Sequence, residues 1–228
     1  GTVNVLGDAD VLINGGTIDA SGATGGGVIR IGGGWQGREG LVAAQRTGVA
    51  PDAVIRADAT EQGKGGNIAV WSEQKTITVG LLTARGAGTG RGGDIETSSH
   101  GYLAVRNAPD IHGGSLGGAG GSWLIDPRNI TIVGGEDDPS SYSSATTDVG
   151  TQFDAIADDS TIHVNTILTA LESNGTVFVT TEADGNVAGD IRLATDLDYG
   201  NISGTGTLNL FAVNNIVFEG GVYNSAQS

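Results

Sequence analysis

Apolar and polar residues alternate in short runs along most of this chain, and pairs of glycines separate the runs. GGVIRI (26–31), GGNIAV (65–70), GGDIET (92–97) and GGSWLI (120–125) share one pattern: two glycines, a variable residue, then side chains of alternating character. A period of two marks half-buried strands. A second strand-like signal precedes each unit, in TIDASG (17–22), VIRADA (54–59), LLTARG (81–86) and DIHGGS (110–115). The second glycine of each pair falls at 27, 66, 93 and 121, so the units repeat at intervals of 39, 27 and 28 residues. The longer first interval contains GWQGREGLVAAQRTGVAP (34–51), which reads as an inserted loop.

A repeat of 27 or 28 residues built from short strands and turns matches one coil of a parallel β-helix, in which each strand pairs with its counterpart one coil away. Within one coil the pattern predicts strands at 67–72, 76–84 and 93–97. It sends Ile68 and Val70 inward and Asn67, Ala69 and Trp71 outward. The glycines supply corners, which need either a positive φ or a close backbone approach.

Beyond residue 135 the pattern changes. Residues 136–161 are acidic and polar and read as a second excursion from the ladder. NTILTALESNG (165–175) predicts one short helix, with Asn165 as its cap, an apolar face of Ile167, Leu168 and Leu171, and Gly175 at its end. Alternation returns at 176–181, 189–195, 206–213 and 215–220. No hinge-like linker appears, so the expectation is one elongated all-β domain: glycine-rich coils over 1–135, an acidic excursion plus helix over 136–175, and further coils over 176–228.

Composition narrows the function. The chain has 228 residues, 41 glycines, four prolines and no cysteine or methionine, which excludes disulfides, thiol catalysis and cysteine metal sites. A formal net charge of −15 repels nucleic acid and anionic lipid, and no apolar run approaches the length of a membrane span. The first ten residues lack the basic and apolar segments of a signal peptide, so Gly1 is expected to follow an internal cut.

Several local strings invite chemistry. GKGGNIAVW (63–71) places Lys64 among glycines, but the spacing of a phosphate-binding P-loop is absent. GTGRGG (88–93) matches the dinucleotide string, yet a strand rather than a helix follows it. Glu136, Asp137 and Asp138 are the best candidates for calcium, the one ion considered; no other cofactor is expected. His100, His112 and His163 lack metal-site spacing and read as turn or surface residues. Arg56, Arg85 and Arg91 lie beside turns, where a polysaccharide lyase would want a base, but nothing marks them out. Trp35 and Arg38, in the inserted loop, are the candidate ligand surface, whereas Trp71 and Trp123 sit at packing positions. Asn129, Asn174 and Asn201 begin Asn-X-Ser/Thr strings and are candidate glycosylation sites.

GGNIAVWSE, then LLTARGAGTGRGGDIETSSHGYL, then GGSWLIDPRNITI resemble, in that order, strings of the filamentous-haemagglutinin-type exoproteins of two-partner secretion. The resemblance covers about residues 15 to 135, and IHVNTILTALESNGTVFVTT (162–181) resembles the segment that commonly follows. It implies a right-handed parallel β-helix, export through an outer-membrane transporter barrel, and a place at the bacterial outer surface. The NPNL and NPNG strings of that family's secretion domain are absent, so an internal piece is expected. The function anticipated is structural rather than enzymatic: an adhesin stalk or filament segment facing an unidentified receptor or polysaccharide. The alternatives are a β-helical carbohydrate-active enzyme and a calcium-dependent fibre subunit that stacks end to end as a homo-oligomer.

Overall fold

The computed structural model describes residues 1–135, 160–182 and 189–227. The first three repeats each lay down three strands: β1 (Thr2–Val5), β2 (Asp10–Ile13) and β3 (Gly16–Asp19); β4 (Val28–Ile31), β5 (Arg46–Val49) and β6 (Ala53–Arg56); β7 (Asn67–Val70), β8 (Lys75–Thr78) and β9 (Leu81–Thr83). There follow β10 (Asp94–Ser98), β11 (Tyr102–Val105), β12 (Ser122–Asp126), β13 (Ile130–Val133) and β14 (Ser160–His163). Helix α1 (Val164–Glu172) leads to β15 (Thr176–Thr180), β16 (Ile191–Leu193), β17 (Leu197–Asp198), β18 (Thr207–Phe211), β19 (Ile216–Phe218) and β20 (Val222–Tyr223). The strands assemble into four sheets, and every pairing between named strands is parallel.

The largest register is the one the glycine pairs announce. Thr2, Val28, Asn67, Asp94, Ser122, Thr176 and Thr207 stand in one column of the first sheet, β1-β4-β7-β10-β12-β15-β18. The residue before each is a glycine: Gly1, Gly27, Gly66, Gly93, Gly121, Gly175 and Gly206. From Gly27 onward, close approach rather than positive φ requires these corners. A Cβ built on Gly93 would lie 2.1 Å from the carbonyl oxygen of Gly66, and one on Gly121 would lie 1.9 Å from that of Gly93. The main chains of successive repeats touch here, leaving no space for a side chain.

Inward positions form continuous columns. Val3, Ile29, Ile68, Ile95, Trp123, Val177 and Leu208 stack in one, and Val5, Ile31, Val70, Thr97, Ile125, Val179 and Leu210 in the next. Thr97 interrupts the aliphatic series beside Trp123, the other irregular member. The buried Trp123 Nε1–H donates to Thr97 Oγ1 at 3.0 Å, so the two irregularities satisfy each other.

The second sheet runs β2-β5-β8-β11-β14-β13-β16-β19, and its order departs from the chain once. After β12 the chain skips a rung to form β13, then returns after residue 159 to fill the vacant rung with β14. Helix α1 follows at once and buries Val164, Ile167, Ala170 and Leu171 in the core. A third sheet, β3-β6-β9, and the pair β17-β20 make up the remaining ladder.

Several expectations need correction. Gly80 divides the run 76–84 into β8 and β9; a Cβ there would lie 2.6 Å from the carbonyl oxygens of both Ala50 and Ala53. The first excursion is shorter than 34–51, because β5 already belongs to the ladder. The second ends before Ser160, where β14 begins. Asp110 pairs with Thr83, two positions from the alignment suggested by DIHGGS, and forms an isolated bridge. The helix N-cap is His163 rather than Asn165, without a side-chain cap bond, and Asn174 at φ +56° turns the chain before Gly175. Ile68 and Val70 do face the core; Trp71 faces outward, as expected, but is only 2% exposed because a loop covers it.

Two substitutions test this packing by urea unfolding. Gly93→Ala should destabilise by about 3 kcal/mol as two main chains are forced apart; a loss below about 0.5 kcal/mol would refute the contact column. Thr97→Val, nearly isosteric, should cost about 1–3 kcal/mol by orphaning the Trp123 N–H, and Trp123→Phe should remove most of that penalty when the two are combined.

Candidate functional site

The outward face of the first sheet carries the densest polar chemistry among the described residues. Arg30, Ala69, Glu96 and Leu124 form one outward column, and Trp71, Ser98 and Asp126 lie two residues along their strands. Residues 32–44, between β4 and β5, fold across this face. The loop is closed at its base by Ala44 N–H donating to Gly32 O at 2.6 Å. Its tip is a 3-10 turn, Trp35–Gly37. Gly33 and Gly37 lie flat on the Trp71 ring, where Cβ atoms would meet it at 2.7 and 2.5 Å. Gln36 and Glu39, neither of them glycine, hold φ of +52° and +71°. Such conformations persist where surrounding contacts impose them.

Two sets of contacts do so. Arg30, nearly buried, donates from Nε and Nη2 to both Glu39 oxygens at 2.6 and 2.9 Å and from Nη1 to Asn67 Oδ1 at 2.6 Å. The bidentate guanidinium holds the Glu39 carboxyl below its ordinary range despite some burial. At the tip, Gln36 N–H donates to Glu96 Oε1 and Oε2 at 3.1 and 2.8 Å. The loop thus leaves β4, passes over β7 and is pinned to β10.

Glu96 is fully buried. Burial, reinforced by the negative charge of Asp126, pushes its carboxyl up to about 7, although the Gln36 N–H and Arg30 pull the other way. Asp126, 8% exposed, is also raised by burial, with Glu182 adding repulsion while Thr180, His100 and Arg38 pull the other way. Ser98 is its neighbour by register and lies beside Glu96. His100 extends the cluster: Nδ1 lies 3.0 Å from Glu73 Oε2 and Nε2 3.1 Å from Glu182 Oε2. A neutral imidazole can donate to only one of them at a time. Its ring also meets Trp71 edge-on, with centroids 4.8 Å apart.

Trp35 and Arg38, the candidate ligand surface, line one shallow groove of about 390 Å³ with Arg30, Gln36, Glu39 and Asn67. Trp35 is half-buried and Arg38 exposed. The buried acids behind the groove went unrecognised in the sequence, because alternation marks Glu96 only as outward-facing and says nothing of a loop above it. Glu136, Asp137 and Asp138 lie outside the described residues. Among the described residues no three His, Asp or Glu side chains gather so as to hold a metal ion. Many of the acids instead pair between rungs: Asp10 with Arg46, Asp110 with Arg85, and Glu219 with Arg192. Lys64 pairs with Asp94 at 2.5 Å. Burial works against ionisation of Asp94, but Lys64, Ser122 and Arg91 outweigh it and hold its carboxyl low.

The glycosylation candidates scatter. Asn129 is half-buried, and its Oδ1 accepts from Asp190 N–H at 2.9 Å. Asn174 is exposed, its Oδ1 engaged by Thr205 N–H at 2.7 Å. Asn201 ends a 3-10 turn, and its side chain lies outside the described residues. A larger cavity of about 740 Å³ opens at the β18–β20 end, lined by Leu171, Leu197, Ile202, Leu208 and Phe218. Its lining is largely apolar and gathers no comparable group of titratable side chains. Comparison with protein-family models and with curated proteins finds no match.

Arg30→Ala should loosen the loop. Trypsin cleavage after Arg38 should accelerate at least about fivefold, as charged hydrogen bonds of this kind contribute on the order of 1.5–3 kcal/mol when shielded and less at this partly exposed partner. An unchanged rate would mean that Arg30 does not hold the loop.

Proposed function

We propose that this chain is a right-handed parallel β-helical segment of a secreted bacterial surface exoprotein, exported through a partner transporter barrel, which spaces and presents a recognition surface. The observation that carries the presenting role is the pinned loop 32–44. Loops that leave a rigid ladder are where binding residues concentrate, and this one is held in a strained shape by Arg30 and Glu96. The stalk role is supported by the parallel registers and the stacked core columns, which give stability without disulfides. The order of the glycine-rich strings and their resemblance to filamentous-haemagglutinin-type exoproteins support the surface assignment.

A carbohydrate-active enzyme is the second reading, and Glu96 is the observation in its favour. A carboxyl near 7 beside a second acid is the equipment of a general acid. Against that reading, Gln36 covers Glu96 and no substrate reaches it while the loop is closed.

The purified chain, immobilised, should retain cell surfaces or matrix polysaccharide, and Trp35→Ala with Arg38→Ala should lower retention about tenfold with stability unchanged. Release of reducing ends from polysaccharide, abolished by Glu96→Gln, would instead establish the enzyme. Retention that ignores both substitutions would remove the loop from the function.

A further inference from the structure

We infer that the loop 32–44 is a proton-linked lid, held down most firmly when the buried Glu96 carboxyl is protonated and loosening as the surroundings turn alkaline. The inference rests on the reading of this loop as the presented surface only for its biological meaning; the closure itself is a property of the closed geometry.

Glu96 has no exposure, and the loop supplies its backbone donor, Gln36 N–H. Arg30 on β4 is a cation that acts on it, yet its guanidinium is committed to Glu39 and Asn67. Arg38 and Glu39 belong to the loop, and Asp126 ends β12. His100 lies beyond β10, Glu73 follows β7 and Glu182 follows β15. Asp126 faces Glu96 with like charge. A buried anion under these conditions takes up a proton more readily than the same anion in water.

The sign follows from comparing closed and open states. With the loop lifted, Glu96 returns to water and to its ordinary value near 4.5; with the loop closed it titrates at about 7. Between these values the closed state binds the extra proton, so lowering pH through 7 favours closure and raising it favours opening. Protonation weakens the bond from Gln36 N–H, but the closed-state value already includes that loss. Acid therefore secures the surface that carries Trp35 and Arg38 and covers Trp71.

Amide hydrogen exchange of Gln36 in the whole chain tests this, with each rate normalised to its intrinsic pH dependence and compared with Ile68 as a reporter of global opening. Protection of Gln36 should rise roughly 30-fold from pH 8 to pH 5.5, the factor that two such values give. Glu96→Gln should make protection high and independent of pH, and Asp126→Asn should move the midpoint to lower pH. A flat profile in the wild-type chain, or a slope that survives Glu96→Gln, overturns the lid. A rise that matches Ile68 at every pH assigns the effect to the whole fold and overturns it equally. No ligand enters the measurement, so it can fail while the retention assay succeeds, and the reverse.

Discussion

Direct contact between the main chains of successive repeats is the constraint on which the rest of this structure depends. At the corner before the first-sheet strands the chain passes so close to neighbouring chain that only hydrogen fits, and six glycines from Gly27 to Gly206 occupy that column. The contact fixes where each strand begins, and the start fixes register. Once register is fixed, a period-two pattern delivers every second side chain to the same inward column. The isoleucine series, the Trp123–Thr97 pair and the outward Arg30–Glu96 face all follow from that placement.

This is why so much of the ladder was legible in the residues alone. The glycine pairs give the register of four repeats without error, since Val28, Asn67, Asp94 and Ser122 stand in one line. The helix was legible from its apolar face, though its cap was not, because the chain enters α1 straight from β14 and leaves no room for a capping turn. The skipped rung was not legible at all. Nothing local distinguishes β13 from a strand of the preceding position; the exchange of β13 and β14 appears only in the strand order of the sheet.

The site divides in the same way. Trp35 and Arg38 were readable as a loop surface because they interrupt the repeat. The acids behind them lie inside the repeat and obey its alternation, so nothing in the period sets Glu96 apart from a solvated outward residue such as Asn67. Their environment comes from a loop inserted two strands earlier in the sheet, from Glu182 beyond β15 and from His100 beyond β10. Even so, both buried carboxyls fall within the strings that carry the family resemblance, DIETSS and WLIDP.

Rigidity and adjustability are thus divided between two kinds of contact. Along the corner, glycines pack backbone on backbone, and no titratable group participates, so the ladder's geometry is insensitive to pH at the place that sets it. Across the outward face, the same ladder brings the buried Glu96 and Asp126 onto adjacent strands and covers Glu96 with a loop. Two acids held this way would weaken an isolated hairpin, because like charges in a dry environment favour any rearrangement that readmits water. Here the strands beneath them are paired on both sides and cannot yield, whereas the loop is tied to them by a few polar contacts. The strain of the buried charge therefore falls on the loop, the part of the structure that can open without disturbing the stack.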